Sequence, residues 1–445
     1  MVYIMIWLTF LIYNLFVNVN CVRHGSASTN DFYNLELHRS IDLSNHIVKI
    51  ETYIVIKNNQ ISPIDFYRLP LMKNLTNNLL HIEVSMSAVE DSDEEIKISK
   101  HKQQQANNNY TYYDITFRGD PMNNQEERIL KIKEYYSNQY EMLPKNIYLT
   151  DNQYVVYNGY VNSVAFYKTG KQITTIILPE LNKEDVLFYT QNIKHQYKGD
   201  DIICKIDYND KNHNIVYNIE SDIESLTPIE FKIHYKLNKP LSVFNYVEKN
   251  YEVSEWGNIA VSENYQIENI GSKLVGEFGR VDYNLKSYRG GKNSVRYLSA
   301  KLPLKANNLW YRDEIGNVTS SVAERQWDYV SLNQQLRFPL LGGWKSNYNI
   351  GYNLPTKFFI NYKDNSKVLK LTFGVPYEDI IATNYTYKVI LPENAEIESV
   401  DLPIDSKFKI NYDRYYSYLD LFGRSQVTIT MNNAFVIHNK DIKVR

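Results

Sequence analysis

An acidic stretch that starts near Glu90 carries oxygen-bearing side chains at a spacing that suits a metal ion. Asp91, Asp93 and Glu95 imitate the start of a calcium-binding loop, in which alternate residues supply oxygen ligands. Ile96 stands where that loop needs its turn glycine, and the residue at the bidentate glutamate position is a lysine. Because both replacements remove an essential member of the pattern, a solvated hairpin loop is the better interpretation, and no metal ligand is predicted.

A basic, glycine-containing stretch, "YRGGKNS", is close to a phosphate-binding loop. The loop pattern would require a glycine at Lys286 and a serine or threonine at Asn293, so a turn is the better interpretation. The chain also has no G-x-S-x-G, H-E-x-x-H or C-x-x-C motif. Adjacent carboxylates such as Asp313 and Glu314 do not define an acid/base pair, which needs a set separation in space. The sequence therefore predicts no catalytic or cofactor-binding residue.

The chemistry that the sequence does predict is modification of asparagine side chains. Asparagine in an N-x-[ST] triplet can accept a glycan where the chain enters the secretory pathway and the site is exposed. Asn317 is the strongest candidate, because the polar, glycine-bearing stretch "YRDEIGN" that ends at this residue is typical of a surface loop. The four candidate acceptors are Asn317, Asn74, Asn109 and Asn384.

The first residues predict entry into that pathway. Ile4–Val17 is almost entirely apolar, which suits the core of a signal peptide and is short for a membrane span of about 20 residues. We expect a signal peptide over residues 1–21, with an uncleaved N-terminal anchor as the alternative, and no later stretch is apolar enough to span a membrane. After cleavage Cys204 alone would remain, and its alternating surroundings predict a buried strand thiol.

Composition and periodicity predict the elements that must position these residues. The formal net charge is −2 over 445 residues, so no strong field attracts nucleic acid. Aromatic residues make up 14% of the chain, and in "HIVKIETYIVIKN" apolar side chains alternate with polar ones. Such runs, separated by short turn signals, predict a mainly β protein built from β-sandwiches. Residues 124–143 are ambiguous between helix and strand.

The chain also contains an internal repeat. Placing "SNHIVKIETYIVIKN" on "SEWGNIAVSENYQIEN" aligns Glu51 with Glu263 and Tyr53 with Tyr265, at an offset of 212 residues. Two further pairs of similar segments follow in the same order, at offsets of 213 and 211 residues. The repeat predicts two tandem β-sandwich-like domains with a boundary near Pro240, where the strand pattern breaks. The predicted segments are residues 1–21 (signal peptide), 22–243 (first domain) and 244–445 (second domain).

Tryptophans lie beside glycines in the second half of the chain. Trp256 precedes Gly257, and Trp344 follows a Gly-Gly pair. A large apolar ring next to a turn predicts a core anchor at the corner of a sandwich. We expect Trp256, Trp310 and Trp344 in the core, each stabilising the fold by about 3–5 kcal/mol against truncation. The alternative is an exposed aromatic surface that contacts a partner or a substrate chain.

Several phrases in the second half closely resemble those of one protein family. They are "YEVSEWGNIAVSENYQIENIGSKLVGEFGRVDY" (251–283), "WYRDEIGNVTSS" (310–321), "LRFPLLGGWKSNYNIGYNLP" (336–355), "VILPENAEIESV" (389–400) and "YSYLDLFGR" (416–424). In order and spacing they resemble the ribophorin I family. Weaker matches in the first half of the chain extend the resemblance to residues 36–445. The residues of these phrases to which we assign structural roles are Trp256, Gly257, Asn258, Arg312, Asp313, Glu314, Gly342, Gly343 and Trp344.

The resemblance implies a fold and a location. Members of this family are type I membrane proteins: a cleaved signal peptide precedes two β-rich domains in the lumen of the endoplasmic reticulum, one transmembrane helix and a cytosolic tail. This chain stops at Arg445, within its last expected strand and before any such helix. The resemblance therefore implies a place in the lumen of the endoplasmic reticulum, or at its membrane through a complex.

The resemblance also implies a non-catalytic role in the oligosaccharyltransferase, which transfers a dolichol-diphosphate-linked glycan to asparagine in nascent chains. The implied partners are the other subunits, including the catalytic one, nascent polypeptides and, as a further candidate, the translocon. The metal-dependent active site lies in a different, many-spanning subunit with a W-W-D-Y-G motif. "QWDYV", residues 326–330, matches that motif only in part, so we expect the lead-in to a strand there.

Two other functions stay open from the residues alone. A secreted or cell-surface β-sandwich adhesion protein would bind its partner without any enzymatic role. A degenerate enzyme of peptidase ancestry would show turnover by itself and lose it when one acidic residue is replaced.

Overall fold

The computed structural model describes residues 28–87, 94–95, 97–100, 109–117, 121–179, 185–190, 196–197, 200–201, 204–209, 214–288, 293–363, 366–402, 408–418 and 420–445. The predicted signal peptide lies outside these residues, as do Asp91, Asp93, Ile96 and Lys102 of the calcium-like stretch and most of the phosphate-like turn. Among the described helices none combines the length and the hydropathy of a membrane span.

The chain is mainly β, as predicted. Residues 124–143, ambiguous from the sequence, form two strands rather than a helix. The strands up to residue 241, called the N-terminal half, are β1 (Phe32–Asp42), β2 (Val48–Asn58), β3 (Phe66–Met72), β4 (Leu79–Ser87), β5 (Glu94–Glu95), β6 (Lys97–Lys100), β7 (Tyr110–Thr116), β8 (Glu127–Tyr136), β9 (Tyr140–Met142), β10 (Asn146–Ile147), β11 (Tyr154–Tyr160), β12 (Thr169–Ile177), β13 (Val186–Tyr189), β14 (Gln196–Tyr197), β15 (Asp200–Asp201), β16 (Cys204–Asn209), β17 (Asn214–Ile219) and β18 (Glu230–Lys236), with the short helix α1 (Lys73–Thr76) after β3.

The C-terminal half starts at residue 242 and has the same character. Its described residues include the helix α2 (Arg280–Tyr288) and the 3₁₀ turns Thr356–Phe358 and Val436–His438. Its strands are β19 (Ser242–Val253), β20 (Asn258–Asn269), β21 (Lys273–Leu274), β22 (Val295–Pro303), β23 (Asn307–Asp313), β24 (Val322–Arg325), β25 (Tyr329–Leu340), β26 (Lys345–Pro355), β27 (Ile360–Lys363), β28 (Ser366–Thr372), β29 (Ile381–Ile390), β30 (Val400–Asp401), β31 (Lys409–Tyr415), β32 (Arg424–Ala434) and β33 (Asp441–Val444).

The two halves have the same sheet topology. The long sheet of the N-terminal half has the strand order β16-β17-β12-β1-β2-β8-β4-β5, and that of the C-terminal half has the order β31-β32-β29-β19-β20-β26-β23. In each long sheet one neighbouring pair is parallel, β1 with β12 and β19 with β29, and every other pair is antiparallel. Apart from β5, the strands correspond one to one in chain order, so the fold is a tandem duplication.

The smaller sheets repeat as well. A three-stranded sheet, β3-β7-β6, corresponds to β22-β25-β24, and a four-stranded sheet, β13-β18-β11-β9, corresponds to β30-β33-β28-β27. In β2 the side chains of Val48, Ile50, Ile54 and Ile56 all point to one face of the long sheet. Val48 and Ile50 pack with the four-stranded sheet, whereas Ile54 and Ile56 pack with the three-stranded one. The two small sheets therefore lie side by side on one face of the long sheet and complete a β-sandwich.

The residue pairing predicted for the repeat is wrong by one position. Arg39 lies opposite Thr52 in the first hairpin, and Lys249 lies opposite Glu263 in the second. Arg39 and Lys249 are equivalent because each lies five residues after the residue that precedes the bulge of its strand, which is Asn34 in β1 and Phe244 in β19. Thr52 therefore corresponds to Glu263, an offset of 211 residues (263 − 52) rather than 212. The difference matters because strand side chains alternate with a period of two, so a shift of one exchanges the faces. Glu51, the predicted partner, points outward, whereas Glu263 is fully buried.

The two halves contact each other through a strand pair, a small apolar cluster and ring contacts such as those of Tyr135 with Phe435 and His81 with His438. Among the described strands, only β10 and β21 pair across the two halves. Leu149 of the N-terminal half packs against Tyr283 and Leu341 of the C-terminal half. The connection between β18 and β19 contains Pro240 and pairs with no described strand. The domain boundary at residues 243 and 244 stays a prediction, which limited proteolysis within this connection would test.

Candidate functional site

The turn between β19 and β20 carries three of the family-motif residues at one end of the long sheet. Gly257 has a φ of +85°, which favours glycine, and the Ser254 N–H donates to the Asn258 carbonyl at 2.9 Å. Trp256 stands at the tip of this turn and is 97% exposed. The prediction that Trp256 is a core anchor is therefore wrong, because the tight turn that needs the glycine directs the indole away from both layers of the sandwich.

Other exposed apolar side chains lie at the same end of the molecule. Strand β26 ends at Pro355 opposite Asn258, and the Arg424 guanidinium at the start of β32 lies 2.6 Å from the Glu252 carboxylate. The loops that follow β26 and connect β31 to β32 therefore lie beside the Trp256 turn. We call this surface the aromatic end, and each of its members is more than half exposed: Trp256, Phe358, Tyr416, Tyr418, Leu421 and Phe422. Exposed apolar groups gathered in this way mark interaction surfaces.

The corresponding turn of the N-terminal half, between β1 and β2, is covered. His46 is only 5% exposed and lines a cleft of about 350 Å³. Tyr297 and Asp379 of the C-terminal half form part of the other wall of that cleft. Burial lowers the pKa of His46 to about 4, against a smaller opposite effect of the Ser242 backbone. The first hairpin tip therefore docks against the second half, whereas the second tip, at Trp256, faces solvent.

The end of β23 and the loop that follows it hold three more family-motif residues and the sequon at Asn317. The Asp313 carboxylate accepts hydrogen bonds from the Ile315 and Gly316 N–H groups at 3.0 and 2.9 Å, and from Arg337 Nη2 at 2.9 Å. The hydrogen bonds from Arg337 lower the pKa of Asp313 below its usual range. A carboxylate that closes its own loop in this way is a positioning group.

The two neighbours of Asp313 are fixed as well. Arg312 Nε donates to Asn317 Oδ1 at 3.2 Å, and the Arg312 guanidinium lies 5.5 Å from the centre of the Trp310 ring. Glu314 Oε1 accepts a hydrogen bond from Asn347 Nδ2 at 2.7 Å. The family-motif residues of this loop therefore shape a rigid surface hairpin beside Trp310.

An open groove of about 340 Å³, which we call the outer groove, crosses the outward face of the long sheet of the C-terminal half. Trp310, 41% exposed, lies over Gly351, where a Cβ atom would come within 2.3 Å of its indole ring. Only glycine at residue 351 lets the ring lie flat on the strand. The core prediction is therefore wrong for Trp310 too. The principal lining residues are Glu248, Asn250, Trp310, Asn353, Lys388 and Tyr415.

The floor of the outer groove is a closed hydrogen-bond network. Glu248 accepts hydrogen bonds from Lys388 Nζ at 2.9 Å, from Asn250 Nδ2 at 3.0 Å and from the Tyr246 hydroxyl at 2.7 Å. Partial burial alone would raise the pKa of Glu248, but the hydrogen bonds from Lys388 and Tyr246 lower it below the ordinary value. Glu248 is therefore ionised, and its charge is balanced by Lys388.

The turn at Gly342 and Gly343 belongs to the junction between the halves. A Cβ atom at Gly342 would lie 1.8 Å from the Ser272 carbonyl oxygen, and Gly343 has a φ of +83°. Ser272 in turn receives contacts from the N-terminal half, since its N–H donates to Gln153 Oε1 at 3.0 Å. Trp344 is half-buried, with its ring 5.9 Å from that of Phe278. Of the three tryptophans predicted as core anchors, Trp344 is the least exposed, and it packs at the edge of the core.

All four predicted glycan acceptors are exposed. Asn74 Nδ2 donates to the Tyr160 hydroxyl at 3.2 Å, and Asn384 Nδ2 donates to the Asn245 carbonyl at 3.1 Å. Asn317 uses its Oδ1 as an acceptor, so its nitrogen, the atom that a glycan would join, takes no part in that hydrogen bond. Glycosylation at Asn317, Asn74, Asn109 and Asn384 stays a prediction, with Asn317 as the strongest candidate.

Sequence reasoning missed a set of buried charges. Lys249 and Glu263 are 2% and 0% exposed, and their nitrogen and oxygen atoms lie 3.1 Å apart. Arg39 and Glu134 are buried in the N-terminal half. The signal was available, because each charged residue stands at an apolar position of an alternating strand, as Arg39 does between Leu37 and Ile41.

The remaining sequence predictions concern catalytic chemistry. No group of three or more histidine, cysteine or acidic side chains that could hold a metal ion occurs in the part of the chain that the structure describes. In the partial W-W-D-Y-G match, Trp327 is 94% exposed and Tyr329 begins β25. That stretch is therefore the lead-in to a strand, as predicted. Cys204 begins β16.

Distant likeness links the chain to solved peptidase structures. The M1 zinc metallopeptidase of Deinococcus radiodurans aligns with a TM-score of 0.27 and 8% identity, over 46% of this chain and 42% of that one. Yeast LTA4 hydrolase in complex with bestatin aligns with a TM-score of 0.28 and 8% identity, over 51% of this chain and 33% of that one. Likeness at this level carries no argument about function.

Sequence relatives are much closer. "Dolichyl-diphosphooligosaccharide--protein glycosyltransferase subunit 1B" of Arabidopsis thaliana is 29% identical over 439 residues, which cover 97% of this chain and 90% of the relative. Subunit 1A of the same plant is 26% identical over 94% of this chain and 66% of its own length. Subunit 1 of Caenorhabditis elegans is 28% identical over 90% of this chain and 65% of its own length. This chain therefore spans about two thirds of the length of the last two relatives.

The family assignment agrees with the phrases that suggested it. The sequence model of Ribophorin I matches residues 32–445, which include both halves of the duplicated fold. The motif residues at the Trp256 turn, the Asp313 loop and the Gly342 turn all fall within that match. This chain belongs to the Ribophorin I family.

Proposed function

We propose that this chain is a non-catalytic subunit of the oligosaccharyltransferase of the endoplasmic reticulum and supports N-linked glycosylation. The observation that carries the proposal is the family match over residues 32–445, together with relatives that are named subunit 1 of the dolichyl-diphosphooligosaccharide–protein glycosyltransferase. The family resemblance assigns bond chemistry to a different subunit. The role of this chain is then to hold that subunit and the nascent substrate polypeptide together in the lumen of the endoplasmic reticulum.

Two rigid sandwiches in tandem suit a scaffold. The halves are tied by the β10–β21 pair and by the Gly342 turn, where Ser272 lies too close for any side chain at residue 342. A platform of fixed shape that binds a substrate chain raises its effective concentration at a nearby active site without taking part in the reaction. The translocon is a further candidate partner in the same arrangement, because it delivers that chain.

The aromatic end is the surface that we assign to a partner subunit. In the N-terminal half the equivalent hairpin tip, at His46, is buried against the next sandwich. In the C-terminal half the tip carries Trp256, and Phe422 on the neighbouring loop is 80% exposed. This end of the N-terminal sandwich thus already serves as a docking surface, for the C-terminal half of the same chain. Large exposed aromatic side chains are typical anchors of protein interfaces.

Affinity purification of the tagged full-length protein from a mild detergent extract tests the proposal. We expect the many-spanning catalytic subunit among the co-purified proteins, and lower glycan occupancy of a sequon reporter when the protein is depleted. The purified chain by itself should transfer no glycan to an N-x-[ST] peptide. Recovery of the protein free in the culture medium, without these subunits, would favour the secreted binding protein instead.

The partner surface has its own matched test. A Trp256→Ser and Phe422→Ser double variant should lose much of the co-purified catalytic subunit, whereas Ile61→Ser should not. Ile61 is a suitable control because it is 88% exposed but lies between β2 and β3 of the N-terminal half. If both variants assemble equally well, the partner binds elsewhere on the chain and the assignment of the aromatic end fails.

A further inference from the structure

The outer groove stands out against the equivalent face of the duplicated sheet. In the C-terminal half Trp310 lies opposite Gly351, and the same two positions of the N-terminal half are Glu83 and Lys133. The Lys133 ammonium lies 3.9 Å from the Glu83 carboxylate, so that face is an ordinary solvated surface with paired charges. The C-terminal sheet replaces these charges with a glycine and an aromatic ring, which opens a concave surface.

The charges that remain in the outer groove are matched within the protein. Lys388 neutralises Glu248 at 2.9 Å, and Arg424 neutralises Glu252 at 2.6 Å. The groove therefore offers no unbalanced charge to an ionic ligand. It does offer carboxylate and amide side chains whose directions are already fixed, since Asn250 Nδ2 donates to Glu248 at 3.0 Å and Asn353 Oδ1 accepts from Asn258 Nδ2 at 3.5 Å. Fixed polar groups of this kind recognise neutral ligands with many hydroxyl groups.

Two aromatic side chains line the groove on either side of this polar floor. Trp310 belongs to β23 at one edge of the sheet, and Tyr415 belongs to β31 at the other edge. Aromatic rings carry partial negative charge on their faces and attract the weakly positive C–H groups of a sugar ring. An aromatic wall combined with planar polar side chains is the chemistry that binds carbohydrate.

We infer that the outer groove is a binding site for a neutral oligosaccharide, which contacts Trp310 and Tyr415 through its C–H faces and Glu248, Asn250 and Asn353 through its hydroxyl groups. The volume of about 340 Å³ is at the lower end of the range of about 300–1,000 Å³ that small-ligand pockets occupy. The inference goes beyond the proposed function and does not depend on it, because it rests on the residues of the groove.

A peptide or a lipid fits the groove less well. The floor is formed by the central strands β19, β20 and β29, whose backbone groups are already paired in the sheet, so an extended peptide cannot add as a strand there. The floor is polar, so it does not suit an acyl chain. Asn384 lies on the same face, four residues before Lys388 on β29, a distance of about 13 Å at 3.3 Å per residue. A glycan on Asn384 could therefore reach the groove and compete with an added ligand.

Saturation-transfer NMR on the folded protein tests the inference, with mannobiose, maltotriose and N,N′-diacetylchitobiose as probes. The protein carries Asn384→Gln, so that no glycan of its own can fill the groove. We expect at least one probe to bind, and binding to weaken by about tenfold or more in Trp310→Ala and in Asn353→Ala. Asn353→Ala keeps the test valid if loss of the large Trp310 side chain disturbs the fold.

Matched controls separate the groove from the rest of the surface. Trp256→Ala removes an exposed tryptophan outside the groove, and Lys133→Ala changes the equivalent face of the N-terminal half, so both should bind the probes as the parent protein does. Gly351→Ala should weaken binding, because the new methyl group displaces the Trp310 ring. Failure of every probe to bind, equal binding by Asn353→Ala, or displacement of the probe by an extended peptide would each overturn the inference.

Discussion

The β1–β2 hairpin and the β19–β20 hairpin occupy the same central place in two sheets of the same strand order, yet they accommodate a buried cation differently. Arg39 and Lys249 stand at equivalent inward positions. Lys249 lies 3.1 Å from the Glu263 carboxylate on the next strand. Arg39 instead donates from Nη1 to the backbone carbonyls of Tyr160 at 3.1 Å and Asn162 at 2.6 Å. One hairpin therefore satisfies its cation with a charge, and the other satisfies it with neutral acceptors.

The carboxylates differ in the same way. Glu263 accepts hydrogen bonds from the hydroxyls of Tyr265 and Tyr352, the latter at 2.9 Å. Burial alone would lower the pKa of Lys249, but Glu263 raises that pKa above the ordinary value. In the N-terminal half the carboxylate is Glu134 on β8, and burial raises its pKa, although Arg39 acts in the opposite direction. Duplication has thus kept a cation at the centre of both sandwiches, while its counter-charge has moved by one strand.

The tips of the two hairpins also differ, in how far they are exposed to solvent. His46 at the first tip is buried against the C-terminal half, whereas Trp256 at the second tip is 97% exposed. Within one chain, the same end of the fold is therefore an internal interface in one copy and an open surface in the other. In this chain the exposure of each hairpin tip therefore depends on what lies next to it. The centre of each sandwich instead depends on how its buried charge is satisfied.

The largest expected effect comes from breaking the ion pair of the C-terminal half. Glu263→Ala leaves Lys249 buried without a counter-charge, and we expect the free energy of unfolding to fall by about 3–5 kcal/mol. Urea unfolding followed by circular dichroism measures the change. The matched control removes both charges, as in Lys249→Met with Glu263→Leu, which should recover most of the loss because no isolated charge remains. A double variant as unstable as the single one would show that the pair is not what the site requires.

Arg39→Met should cost less, about 1.5–3 kcal/mol, which is the usual worth of hydrogen bonds from a charged group. The Tyr160 and Asn162 carbonyls lose a donor, but no carboxylate in direct contact is stranded. The same unfolding experiment, run beside Glu263→Ala, compares the two halves. A loss as large as that of Glu263→Ala would mean that Arg39 and Glu134 act as a tight ion pair, and the contrast between the hairpins would disappear.

The raised pKa of Glu134 should make the stability of the protein depend on pH. A carboxyl group whose pKa is raised by folding binds its proton more tightly in the native state, so its contribution to stability is lost as pH rises from the ordinary glutamate range through the raised pKa. Glu134→Gln removes that loss. Its stability relative to the parent protein should be pH-independent below the ordinary range. Above that range it should rise with pH until the raised pKa is passed, with a slope of at most about 1.4 kcal/mol per pH unit.

The control for this pH profile is Glu127→Gln, an exposed position on the same strand. Because this side chain is exposed, Glu127→Gln should not reproduce the rise expected for Glu134→Gln. Thermal melts at a series of pH values measure both variants. A Glu134→Gln profile that is flat, or that falls as pH rises, contradicts a raised pKa at Glu134 and places its charge in a favourable pair.

Much of the fold could be predicted from the sequence because it rests on local periodicity. The alternation of apolar residues in β2 predicts a half-buried strand, and the echo of that strand in β20 predicts a tandem repeat. The alternation also contains the buried charges, since Glu263 stands between Val261 and Tyr265 on the apolar side of its strand. A charged residue at an inward position is therefore a readable signal of a buried charge.

The rest depends on contacts between distant parts of the chain. A tryptophan beside a turn glycine looks the same whether the turn faces a neighbouring sandwich or solvent, so the exposure of Trp256 could not be predicted locally. The register of the repeat needs the bulges after Asn34 and Phe244, which appear only when the strands pair. The outer groove draws its residues from several non-consecutive strands. Its one local signal is Gly351 within β26, since an isolated strand glycine marks a close approach.

The smallest expected effect on stability belongs to the exposed tip. Trp256→Ala removes a side chain that is 97% exposed, so the free energy of unfolding should change by less than about 0.5 kcal/mol. His46→Ala, at the equivalent but buried tip, should lower the melting temperature measurably, because it leaves a cavity between the halves. Thermal melts of both variants give the comparison. A loss of about 3–5 kcal/mol for Trp256→Ala would be that of a buried aromatic anchor. It would mean that the second tip folds back onto the protein, so that both hairpin ends are internal surfaces.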